Sequence, residues 1–188
     1  MKRIYRLTVV LFFIMACESE KKQFTKLSHK DTGIDFVNKL YETNTRNYFT
    51  YPYMYLGGGV ATGDFNNDGL EDLFFTGNMV PNKLYLNEGD FKFKDISETA
   101  GIEGDDRWYS GVSVIDINND GFLDLYIAVG GENKTNNNVL YINNQDNTFT
   151  EKAKAYGIDD DGYSMHSTFF DYDNDGDLDL YVKYIIIR

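Results

Sequence analysis

Three copies of a nine-residue pattern, Asp-x-Asn/Asp-x-Asp-Gly-x-x-Asp, occupy Asp64–Asp72, Asp116–Asp124 and Asp171–Asp179, spaced by 52 and 55 residues in a 188-residue chain. Such density of carboxylates is self-repelling unless something positive sits among them. A hard divalent cation wants oxygens from alternate residues of a tight loop, one backbone carbonyl and a closing carboxylate, with glycine at the sharp turn. The first copy offers Asp64, Asn66 and Asp68 at positions one, three and five, Gly69 at six, the Leu70 carbonyl at seven and Asp72 at nine. The second offers Asp116, Asn118, Asp120, the Phe122 carbonyl and Asp124; the third offers Asp171, Asp173, Asp175, the Asp177 carbonyl and Asp179. We therefore expect about three Ca²⁺ ions per chain, the third site, with one more carboxylate, binding tightest.

A helix-flanked calcium loop of the EF-hand kind needs a bidentate Glu at position twelve. Here that position holds Phe75, Ile127 and Val182, and each loop runs into an apolar, β-prone stretch: Leu73-Phe74-Phe75, Leu125-Tyr126-Ile127 and Leu180-Tyr181-Val182. The loops are expected to be strand-to-strand hairpins.

The repeat extends past the loops. Asn82-Lys83-Leu84-Tyr85-Leu86-Asn87 returns as Asn138-Val139-Leu140-Tyr141-Ile142-Asn143, followed at matching distances by Phe93 or Phe149 and by Gly101-Ile102 or Gly157-Ile158. Each unit reads as strand, loop, strand, turn, strand, turn, strand. Four short antiparallel strands in a period near fifty residues describe a propeller blade. Blades pack face to face, and the 15 Tyr and 14 Phe supply the bulk that fills such seams. The expected fold is all-β: a partial, open propeller of about three blades.

The run Gly57–Leu73 resembles an FG-GAP (VCBS) repeat, as in the propellers of integrin α-subunits, although the literal Phe-Gly and Gly-Ala-Pro signatures are absent. The Asn-x-Leu-Tyr-x-Asn, Phe and Gly-Ile pattern resembles bacterial proteins of the cartilage-acidic-protein, ASPIC/UnbV type. The resemblance covers roughly Phe24 to Val182. It implies a calcium-stabilised propeller of about seven blades used for binding, with the Asp loops on the face opposite the usual ligand surface.

The N-terminus points to a compartment. Lys2, Arg3 and Arg6 precede an apolar core from Leu7 to Met15 and small Ala16, as in a signal peptide over residues 1–16. Ile14-Met15-Ala16-Cys17 resembles a bacterial lipobox, which makes Cys17, the one cysteine of the chain, the expected lipid attachment point. Residues 17–23 would then be a polar tether, and 24–188 the repeat region of a protein anchored in the bacterial cell envelope. Within that region, Phe24 to Tyr55, where Phe49, Tyr51 and Tyr53 alternate with smaller residues, is expected to add an outer strand. The third repeat stops at the strand after its loop, which reads as a truncated product.

The formal charge is −12, and loss of the three basic residues of residues 1–16 would bring it to −15. Such a surface repels phosphates, so nucleic acid is excluded as a partner class. No catalytic residues are assigned. His166 stands where the other repeats have Gly59 and Gly111, beside Tyr163; His29 lies near the tether; Asp105, Asp106 and Asp159 to Asp161 read as solvated turns. The sequence therefore points to a non-enzymatic binding or scaffold module for a glycan or protein. The alternatives are a non-catalytic piece of a polysaccharide-active enzyme, or a spacer for a further C-terminal domain.

Overall fold

The computed structural model describes residues 23–131 and 136–185. Two complete four-stranded antiparallel sheets follow one another. The first has β1 (Val60–Gly63), β2 (Asp72–Phe75), β3 (Lys83–Asn87) and β4 (Phe93–Asp95); the second has β5 (Tyr109–Ile115), β6 (Asp124–Val129), β7 (Val139–Asn143) and β8 (Phe149–Glu151). A third, two-stranded sheet pairs β9 (Ser164–Phe170) with β10 (Asp179–Tyr184). Strands are in simple up-and-down order, and the Asp loops are the hairpins β1–β2, β5–β6 and β9–β10. The sheets form an open stack, as expected of a partial propeller, with the third blade contributing two strands among the described residues.

The period-two alternation of side chains explains how one strand serves two seams. In β6, Leu125, Ile127 and Val129 turn toward blade 1 and join Phe74, Leu84 and Val112 in one core. Tyr126, between them in sequence, turns the other way and packs with Leu140 and Ala153 against Phe169 and Leu180 of blade 3. All six residues of β6 are buried as a result. Each fully buried Leu, Ile or Phe contributes about 1.5–3 kcal/mol of transfer free energy, so these two seams carry the stack.

The innermost strands approach too closely for side chains. A Cβ on Gly59 would lie 2.7 Å from the Ser110 carbonyl oxygen, and one on Gly111 2.6 Å from that of Met165. His166 occupies the matching place in β9, paired with Lys183 of β10, and is exposed.

The Gly-Ile element of the repeat ends a single helical turn, an addition to the strand-and-turn unit expected from the sequence. Helices Ser97–Ala100 and Ala153–Tyr156 are each closed by a left-handed glycine, Gly101 at φ 73° and Gly157 at φ 71°. The Ile102 N–H returns to the Ser97 carbonyl at 3.3 Å and the Ile158 N–H to that of Ala153 at 3.0 Å, the pairing of a Schellman cap. Ile102 is fully buried, as the hydrophobic contact of that motif requires.

One expectation is corrected. Among the described residues, Phe24 to Tyr55 contribute no strand: the segment holds a helical turn at His29–Thr32, a 3-10 helix at Pro52–Tyr55 and otherwise irregular chain. Pro52 has no N–H to give to a ladder and starts the 3-10 turn instead. Asn47 and Thr50 turn the preceding backbone on itself through side-chain bonds that compete with strand pairing. The segment is a strap rather than a strand. It begins on blade 1, where Tyr85 donates its hydroxyl to Asp35 at 2.8 Å and Phe36 stacks on Phe75 at 5.1 Å. It ends over blade 2, where Tyr51 and Met54 bury themselves with Trp108.

Candidate functional site

The three loops share one internal architecture. The first Asp accepts two backbone N–H groups from across the loop: Asp68 (3.0 Å) and Gly69 (2.8 Å) donate to Asp64, and Asp120 (3.0 Å) and Gly121 (2.9 Å) donate to Asp116. In the third, Asp175 and Gly176 both donate to Asp171 at 3.1 Å. The fifth-position Asp turns back on its own loop, accepting from the N–H two residues on: Leu70 to Asp68 (2.8 Å), Phe122 to Asp120 (2.9 Å) and Asp177 to Asp175 (3.1 Å). Asn66 and Asn118 each donate an amide to that same Asp at 2.9 Å.

Two backbone positions per loop are left-handed. Gly69, Gly121 and Gly176 have φ of 86°, 85° and 96°, and the fourth residue, always Asn, has φ of 56° at Asn67, 56° at Asn119 and 61° at Asn174. Asparagine is among the few side chains that tolerate this region. The recurrence of Asn at position four, in Asn67, Asn119 and Asn174, is the sequence signal for this second left-handed position, which the glycines alone do not give.

The closing Asp is the most buried ligand candidate. Asp72 is inaccessible to solvent and accepts from Phe65 (2.9 Å) and from Asn87 at the end of β3 (2.8 Å). Asp124 repeats this with Ile117 (3.1 Å) and Asn143 (2.8 Å). The last Asn of the Asn-x-Leu-Tyr-x-Asn motif thus fixes the ninth loop position from the neighbouring strand. The first Asn holds the other end of the blade, with Asn82 accepting from Gly77 (2.9 Å) and donating to the Ile102 carbonyl (3.2 Å). Asp179 is half-buried and accepts from Tyr172 at 2.8 Å.

Electrostatics follow from this placement. Burial pushes the Asp72 and Asp124 carboxyls up, their two backbone donors pull them down, and the neighbouring loop carboxylates push them up again; the net position is above the ordinary carboxylate range. A carboxyl whose folded pKa is raised costs the fold stability above that value, and the cost fades as pH falls toward the unfolded pKa. A cation between the carboxylates would offset it at neutral pH. In the third loop the Asp175 charge raises Asp177. There the carboxylates of Asp171, Asp173 and Asp179 each bring an oxygen within 4.8 Å of the others. Asp175 stands outside that group, bonded to its own loop. Leu70, Phe122 and Asp177 lie in the turns, where a carbonyl rather than a side chain is on offer. Oxygen-only donor sets of this kind suit a hard dication, so the residues present could hold calcium.

The loops are also tied to each other. Asn67 donates to the Gly121 carbonyl at 3.1 Å and Asn143 to that of Phe65 at 2.8 Å; within blade 2, Gln145 of the β7–β8 turn donates to Asp120 at 3.1 Å. At the other end of the blades, a cavity of about 880 Å³ opens between the β2–β3 connection and the segment leading into β5. Of the other acids, Asp105 is committed to Arg107 (2.9 Å) and the Tyr109 hydroxyl (3.0 Å), and Asp160 accepts from Gly162 in a turn. Cys17 and residues 1–22 lie outside the described residues.

A family model described as "FG-GAP-like repeat" matches residues 64–127 and 116–182. The chain is 31% identical to cartilage acidic protein 1 of Xenopus tropicalis over 140 residues, covering 71% of this chain and 21% of that protein. It is 29% identical to the Homo sapiens protein of the same name, over 20% of its length, and 30% identical to integrin alpha-8 of Gallus gallus over 142 residues, 14% of that protein. The chain spans about a fifth or less of the length of the curated relatives it matches.

Proposed function

The chain belongs to the FG-GAP-like repeat family, and from that premise we propose that it is a calcium-stapled, non-enzymatic binding or scaffold module, anchored by lipid in the bacterial cell envelope. The observation that carries the reading is the segregation of the blade's two ends. The Asp loops gather at one end, and the cavity, the connection into β5 and the later part of the strap, where Asn38 meets Asn78 and Arg46 lines the cavity, gather at the other. Metal at the loop end would stiffen the hairpins and leave the far end to a glycan or protein partner. Asp64, Asn66, Asp68 and Asp72 would hold one ion with the Leu70 carbonyl; the same positions of the other loops would hold the second and third.

A calorimetric titration that counts ions tests the metal. Three Ca²⁺ per chain are expected, and two in each of Asp68→Ala, Asp120→Ala and Asp175→Ala; a count of zero, or equal heats from Mg²⁺, contradicts the reading. Extracellular sites of this type bind at about 10⁻⁴ to 10⁻³ M, which suits constitutive staples rather than sensors.

The anchor rests on the lipobox-like run ending at Cys17. No helix among the described residues is long and apolar enough to cross a membrane. Cys17→Ser is expected to move the protein out of the membrane fraction, or to leave the leader uncleaved; unchanged fractionation together with normal processing removes the anchor from the account.

A further inference from the structure

The strap carries aromatic side chains that no core explains. Phe49 is 94% exposed, Tyr55 57%, Tyr48 56% and Tyr41 52%. Three of them are neighbours: Tyr48 meets Phe49 edge-on at 5.9 Å between centroids and lies 6.5 Å from Tyr55, while Tyr41 carries the Lys39 ammonium 4.8 Å over its ring. Single exposed hydrophobic residues are ordinary, but a cluster on one short segment marks a contact surface.

The turn that presents them is fixed before any ligand arrives. Asn47 accepts the Phe49 N–H at 2.9 Å, its own N–H goes to the Thr50 hydroxyl at 3.0 Å, and its amide reaches the Thr43 carbonyl at 3.0 Å. Tyr55 is held by its hydroxyl on Glu42 at 2.6 Å. The turn is pinned on its far side by buried Tyr51, which donates to the Gly130 carbonyl. A turn held this way loses little backbone freedom on binding, which favours useful affinity from a few contacts.

Beside the rings lies the cavity. Arg46, two residues before Tyr48, lines the recess while its guanidinium lies 5.8 Å from the buried Trp108 ring. Tyr41 gives its N–H to the sulfur of Met79, another lining residue, at 3.4 Å. The recess is mixed: Met79, Val80 and Pro81 form an apolar wall, and Asn78, Glu103, Asp105, Asp106 and Arg107 share the rest with Arg46. The exposed ring faces stand on the strap, and hydrogen-bonding groups lie in the recess that Arg46 reaches.

Flat apolar faces edged by many hydroxyls are the property of pyranose rings. We propose that the exposed aromatic cluster (Tyr48, Phe49 and Tyr55) and the hydrogen-bonding groups of the recess that Arg46 lines form a carbohydrate-binding site for an uncharged polysaccharide. Charge selects the neutral class. Three carboxylates face two guanidiniums, and Arg107 is already engaged by Asp105 and by the Asn137 carbonyl at 3.0 Å. With a formal chain charge of −12, a polyuronate or sulfated glycan would be repelled. The rings supply stacking area and the carboxylate and amide groups accept and donate to sugar hydroxyls, the division of labour usual in ligand sites.

This inference rests on the binding-module reading, and its test is chosen to fail separately from it. The full chain is run through native gels containing a neutral β-glucan, xylan or mannan, and through parallel gels with alginate and chondroitin sulfate. Retardation is expected in at least one neutral gel and in neither acidic one. Phe49→Ala and Tyr48→Ala should each weaken it by about tenfold or more, with the melting temperature unchanged because both side chains are exposed. No retardation by neutral glycans, or retardation that survives both substitutions, overturns the carbohydrate site. So does a defined protein that docks on these rings in place of glycan, a result that leaves the binding-module reading standing.

Discussion

Asp124→Ala is expected to destabilise the metal-free protein by about 2–6 kcal/mol, the sum of stranding two buried donors at about 1–3 kcal/mol each. The carboxylate is fully buried and is the acceptor of the Ile117 and Asn143 N–H groups at 3.1 and 2.8 Å. Asn143 in turn ties blade 2 to the first loop through the Phe65 carbonyl at 2.8 Å, so the loss is felt across the seam. A domain of this size has about 5–15 kcal/mol in total, so a large part of it is at stake. Chelator-treated protein in urea reads the effect as a fall in midpoint at constant slope. Asp179→Ala is the control: its half-buried carboxylate accepts one N–H, from Tyr172, and the cost should be clearly smaller. Equal costs for the two would mean that burial and the Asn143 bond do not matter as argued.

The same residues show why some of the fold was legible in the chain and some was not. The loops, the strands they join and the Asn-x-Leu-Tyr-x-Asn unit repeat, and repetition separates a structural requirement from chance. Even so, the reason for that last Asn, a backbone N–H aimed at a buried carboxylate on the next strand, required the register Leu73 to Tyr85 and Leu125 to Tyr141 to be seen. The single helical turns before Gly101 and Gly157 escaped because four residues are too few to show a helical period. The N-terminal segment departs from the expected strand for a different reason. Phe49, Tyr51 and Tyr53 do alternate, but Asn47 and Pro52 dictate the backbone there, and the alternation separates one ring held out to solvent from one buried against Trp108. The cavity could not be read from sequence at all, because Arg46, Asn78 and Asp105 come together only when the strap crosses the seam.

Calcium is expected to produce the largest change in the intact protein. A ligand that binds the folded loops and not the unfolded chain stabilises by RT ln(1 + [L]/Kd), about 1.4 kcal/mol per site at 1 mM ion and a dissociation constant of about 10⁻⁴ M. Three sites give about 4 kcal/mol, which for a chain of this length is a rise in melting temperature of about 10 °C. The effect has a structural cause in the raised carboxyls of Asp72 and Asp124, whose mutual repulsion with Asp64, Asp68, Asp116 and Asp120 an ion would relieve. Asp68→Ala, Asp120→Ala and Asp175→Ala should each remove about a third of the gain.

The most direct test of the calcium-stapled propeller is one thermal melt of the purified protein in three buffers: chelator, 1 mM Mg²⁺ and 1 mM Ca²⁺. The account predicts a rise of about 10 °C in calcium alone; three superimposed curves would contradict it and leave the loops as metal-free turns.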